Sequence, residues 1–139
     1  MTGQIPGPDT YAVTTEPRRD YLRVVMSGVR STVEASIEAW REIGRQVQAH
    51  GARRVLVVSK LSGPLPTPAQ QLQILHALIG AGFEGVRTAF VLDDVVNVVA
   101  LEFGEIIARE LGQESRVFGS ESVAELWLRH GEASSDYDR

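Results

Sequence analysis

The residues best able to do chemistry gather in one stretch, Ser59-Lys60-Leu61-Ser62-Gly63-Pro64-Leu65-Pro66-Thr67, which holds the chain's only lysine. A compact ammonium beside the free N–H groups of a helix N-terminus can meet a carboxylate or a phosphate. Ser59, Ser62, Gly63 and Thr67 could donate to the same ligand, although turn formation and helix capping use these residue types too. Asp93 and Asp94 follow the next apolar run and could act as a general base or hold a metal, and with Lys60 they would make a small enzyme. The same two carboxylates also suit the positive end of a helix.

Other chemistries lack their residues. With no cysteine the chain has no disulfide, thiolate metal site or cysteine nucleophile. His50, His76 and His130 stand apart, without the spacing of a metal site, so no metal and no cofactor is expected. There is no Gly-x-x-x-x-Gly-Lys-Ser/Thr loop and no Gly-x-Ser-x-Gly elbow. A receiver-type phosphoacceptor site is also unsupported, because acids are missing after the early strand at Ser27-Gly28 and a lysine is missing after Phe118-Gly119.

The elements that must position the stretch follow from periodicity. Thr10 to Thr15 and Asp20 to Ser27 read as two strands joined by a turn-length connection, hence an antiparallel pair. Ser31 to His50 reads as a helix, with a Ser31/Glu34 capping box, an apolar stripe of Val33, Ile37, Trp40, Gly44 and Val47, and a left-handed stop at Gly51. Val55 to Val58 is a buried strand that hands over, through the loop, to a helix begun by Thr67-Pro68 and boxed by Gln70. That helix is expected to bury Leu72, Leu75, Leu78 or Ile79, with Phe83 beyond it. Val86 to Leu92 is the next strand.

A third helix follows over Val95 to Leu111. Val95, Val96, Val98, Val99 and Leu101 are too many for one face, whereas Phe103, Ile106, Ile107 and Leu111 make an ordinary stripe. Ser115 to Phe118 is a short strand, and Ser120 caps a last helix carrying Val123, Leu126, Trp127 and Leu128. The order is ββαβαβαβα. It predicts an α/β fold with a mostly parallel sheet of about five strands, one of them antiparallel, and four helices.

The 139 residues suit a single domain over 10–131, between a flexible N-terminal arm (1–9, with Gly3, Pro6, Gly7 and Pro8) and a disordered acidic tail (132–139). A net charge of −4, with no basic cluster longer than Arg18-Arg19 or Arg53-Arg54, argues against nucleic acid. The start, MTGQIPGPDT, has neither the basic nor the apolar part of a signal peptide, and no apolar run is long enough to span a bilayer. A cytoplasmic protein is expected, with at most peripheral membrane contact.

Three features together resemble the SpoIIAA-like proteins, a branch related to STAS domains and similar in fold to CRAL-TRIO lipid-transfer domains. They are the element order, the strand-loop-helix at Val55 to Gln70, and the ending ARELGQESRVFGSESVAELWL, with Phe118, Ala124 and Trp127-Leu128. The resemblance covers about residues 10 to 130. It implies a small bacterial domain without catalysis that binds a protein partner or an apolar, lipid-like ligand. Anti-sigma-factor antagonists of that family carry a phosphorylatable serine in an Asp-Ser-Ser-Gly type motif. Here the matching stretch is Pro66-Thr67-Pro68-Ala69, which keeps a hydroxyl at Thr67 and lacks the flanking residues.

The leading expectation is therefore ligand or partner binding at the carboxyl edge of the sheet, by Ser59, Lys60, Ser62, Gly63, Thr67, Asp93, Asp94, Val96 and Val99. The alternatives are a phosphoswitch at Thr67 and the small enzyme of Lys60 with Asp93 or Asp94. A homodimer would cover the surplus apolar surface of the third helix.

Overall fold

The computed structural model describes residues 11–92 and 101–131, the side chain of Phe103 excepted. Five strands and, among the described residues, four helices follow in the expected order: β1 Ala12–Pro17, β2 Leu22–Val29, α1 Val33–His50, β3 Arg54–Ser62, α2 Pro68–Ala77, β4 Arg87–Val91, α3 Glu102–Glu110, β5 Glu114–Phe118 and α4 Glu121–His130. The strands lie in the sheet in sequence order, with β1 antiparallel to β2 and every other pair parallel.

That order decides where the helices go. Each parallel crossover steps one strand in the same direction, and crossovers are right-handed, so α1, α2 and α3 share one face. The terminal helix α4 takes the other face. β3 is buried from both sides, which explains its unbroken apolar run: Val55 and Val57 meet α1, while Leu56 and Val58 meet α4. The outer strands are one-sided. Val13, Val24 and Met26 face α1, whereas Glu16 and Arg23 sit opposite one another on the other face, where Arg23 reaches Glu121 in the first turn of α4 at 2.6 Å.

Helix ends are set by side chains. Thr67 Oγ1 accepts from the Gln70 N–H at 3.2 Å and the Gln70 side chain accepts from the Thr67 N–H at 2.9 Å, completing the expected capping box. Gly51 stops α1 at φ 61°. At the start of α1 the cap is Thr32, whose hydroxyl accepts from Ala35 N–H at 3.0 Å, and not Ser31 as the spacing to Glu34 suggested. Two neighbouring hydroxyls make that register ambiguous in sequence, and the backbone turns at the second.

Three further expectations are corrected. β3 continues to Ser62, because Arg23 to Val29 of β2 pairs with it through that residue, so the loop begins only at Gly63. In α2 the inward line is Gln71, Ile74 and Leu78, while Leu72 and Ile79 are exposed. In α3 and α4 the exposed hydrophobics include Ile106, Val123 and Leu126; Leu101, Glu105 and Ala108 turn inward on the α3 side, and Ala124, Trp127 and Leu128 on the other. A short helix with apolar residues on both sides is rotated by what it packs on, here a buried glutamine and a buried glutamate that find backbone partners. The arm, the tail and the segment holding Asp93, Asp94, Val95, Val96, Val98 and Val99 lie outside the described residues.

Candidate functional site

On the face shared by α1, α2 and α3, bulky and small residues alternate unevenly. α1 contributes Trp40, and the sheet and the segment before β4 contribute Phe90 and Phe83; the Trp40 ring centroid lies 5.4 Å from Phe90 and 6.0 Å from Phe83. α3, by contrast, turns Gly104, Glu105 and Ala108 toward β4 and β5, which answer with Thr88, Ser115 and Val117. Small side chains on both sides leave room. The result is a cavity of about 160 Å³ between the sheet and the three helices, walled mainly by apolar groups that include Ile74, Leu75, Leu78, Leu61 and Leu65.

The polar groups in the α2 and α3 walls are occupied with holding the walls up. Gln71, buried, accepts from Gly104 N–H at 3.1 Å and donates to Pro66 carbonyl oxygen at 3.1 Å, tying α2 to α3 and to the preceding loop. A Cβ on Gly104 would stand 2.7 Å from that glutamine oxygen, so a larger residue there would push the Gln71 amide off its hydrogen bond. Glu105, also buried, accepts from Val117 N–H at 2.8 Å, which satisfies one donor on the outer edge of β5.

At the other end lies a polar corner. Tyr11 is buried and its hydroxyl shares a 2.8 Å hydrogen bond with Ser36 Oγ. Arg30 is held from two sides by the end of β3: its N–H donates to Ser62 carbonyl oxygen at 2.9 Å and its guanidinium to Gly63 carbonyl oxygen at 2.6 Å. Gly63 adopts φ +92°, which a side-chain-bearing residue would resist, and this turn presents its carbonyl to Arg30. Partial burial pushes the Arg30 guanidinium below its ordinary pKa, and among the described residues no carboxylate compensates it.

The residues singled out in the sequence are divided by this geometry. Strand alternation sends Ser59 and Leu61 to the cavity face, with Ser59 buried and its Oγ accepting from Leu61 N–H at 3.4 Å. Lys60 is exposed on the α4 side, where it adds a smaller pull to the Arg23 hydrogen bond that holds Glu121 below the usual carboxylate range. Ser62 Oγ donates to Gly28 carbonyl oxygen at 3.4 Å, Gly63 shapes the Arg30 corner, and Thr67 caps α2. These five residues therefore do not form one cluster, and Asp93, Asp94, Val96 and Val99 lie outside the described residues.

What sequence reasoning missed is the cavity itself, with Arg30, Tyr11, Trp40 and Phe90. Strand alternation flags Phe90 as inward, but nothing local announces that α3 would turn a glycine and an alanine to the same cavity. Among the described residues no group of three or more histidines and carboxylates could hold a metal ion. No described helix is long and apolar enough to cross a membrane. No protein-family model matches the sequence, and none of the curated proteins matches it.

Proposed function

We propose that the chain is a SpoIIAA-like binding domain without catalysis, which takes a small apolar ligand into the cavity beneath α2 and α3. The observation that carries this reading is the 160 Å³ apolar cavity itself. An engineered cavity of about 150 Å³ with aliphatic and aromatic walls takes up benzene, and a space of this size and lining supports a site for a body of that size. The element order and the Phe118, Ala124, Trp127-Leu128 ending support the family placement. Lys60 and Thr67 have structural surroundings in this reading, on the far side of the sheet and at the helix cap, and no reaction is assigned to them.

Titration with toluene tests it. Toluene should raise the thermal midpoint with concentration, because a ligand that binds only the folded state stabilises by mass action, and it should shift the Trp40 indole resonance. If toluene at its solubility limit moves neither, the cavity is packing and the reading fails.

A further inference from the structure

We infer that the natural ligand of this cavity is a small monoanionic carboxylate whose apolar body lies in the cavity against Leu61 and Leu65 and whose carboxylate is met by Arg30. The inference rests on the cavity reading above and adds a headgroup and a size to it. Arginine carries five N–H donors in a planar fork suited to a carboxylate. Among the described residues the one side-chain hydrogen bond of Arg30 goes to a neutral carbonyl, that of Gly63, and no carboxylate stands within ion-pair reach. A partly desolvated cation in that condition gains from an anion that arrives with the ligand.

The corner is preformed. The backbone bond from Arg30 to Ser62 anchors its main chain, and the side-chain bond to the Gly63 carbonyl turns the guanidinium toward the cavity. Beside it, Tyr11 and Ser36 share one hydrogen bond between two hydroxyls, so one O–H proton of the pair remains to donate to a second acceptor oxygen. The charge is set by the corner: the one carboxylate among the described lining residues, Glu105, is already engaged by Val117 N–H and lies 3.9 Å from Arg109, away from Arg30. Arg116, the other arginine around the cavity, has its guanidinium over the Phe118 and Trp127 rings at 5.2 and 5.7 Å, on the α4 side of the sheet. One guanidinium matches one negative charge, and a doubly charged phosphate would keep half of its charge uncompensated. The volume sets the body at one aromatic ring or a short acyl chain, not a long-chain lipid.

Phenylacetate, its neutral counterpart phenylacetamide, and toluene separate the two claims when titrated into the full chain at low salt. Phenylacetate should bind at least tenfold more tightly than phenylacetamide, and added salt should narrow the gap. Arg30→Met should erase the preference while toluene still binds. Arg30→Lys, which keeps the charge and loses the fork, should restore part of it. Equal binding of phenylacetate and phenylacetamide, or a preference that survives in Arg30→Met, overturns the carboxylate and leaves the cavity reading standing, provided toluene binds. If neither toluene nor phenylacetate binds, both fall together.

Discussion

At position 44 a single methyl group sets two effects against each other. Gly44 lies inside α1, where alanine is favoured over glycine by about 1 kcal/mol. A Cβ there, however, would collide with the Ala81 carbonyl oxygen, a backbone atom with no rotamer to yield, and would crowd the Phe83 ring. Overpacking of this kind costs about 1–3 kcal/mol, and a backbone obstacle puts it at the upper end. Gly44→Ala should therefore lose about 2 kcal/mol net, read as a lower urea midpoint at unchanged slope. The sequence placed Gly44 on the inward stripe of α1 correctly, but the demand for glycine was invisible, since it comes from a residue 37 positions later. Arg30 was hidden for the same reason: the carbonyl that fixes it and the apolar walls beside it belong to other elements.

At the scale of elements, α4 is held to the sheet at both ends by arginines. Arg23 of β2 bonds Glu121 in its first turn, and Arg87 of β4 donates to the carbonyls of Trp127 and Leu128 at 3.4 and 3.0 Å at its end. Arg87 also pairs with Glu114 at 3.0 Å and lies over the Trp127 ring at 5.4 Å. A cation at the negative end of a helix is favourable, and here it satisfies the Leu128 carbonyl and adds to the Gly131 N–H on that of Trp127. Charge-assisted hydrogen bonds at a partly buried group contribute about 1.5–3 kcal/mol. Arg87→Ala should lose about that much, and Arg87→Lys should recover only part, because a single ammonium cannot span two carbonyls, a carboxylate and a ring face. Denaturant unfolding of the two variants checks this. The termini of α2 and α4 were legible because Thr67, Gln70 and Ser120 write their caps locally. The rotation of α2 and α3 was not, because Gln71 and Glu105 turn inward to meet Pro66, Gly104 and Val117, partners that no periodicity displays.

At the scale of the whole molecule, the alternation of strands and helices was enough to give the sheet and its one antiparallel strand, because chirality leaves few other arrangements. It could not give the cavity, which is a volume deficit summed over three helices and four strands. Ala108 tests whether that deficit is real space. It is fully buried on α3 and lines the cavity, so a leucine there adds three carbons directed at the void. In a tightly packed core such a change would cost about 1–3 kcal/mol. Here the added atoms need less room than the benzene ring that a cavity of about 150 Å³ accepts, so filling wins. Ala108→Leu should raise stability by about 0.5–2 kcal/mol. Pressure gives the second reading, since the volume lost on unfolding scales with the voids eliminated. The variant should unfold with a smaller volume decrease than the parent and should bind toluene more weakly. A destabilised Ala108→Leu with an unchanged unfolding volume would mean that the walls have already closed in solution, and the cavity would then be neither a void nor a ligand site.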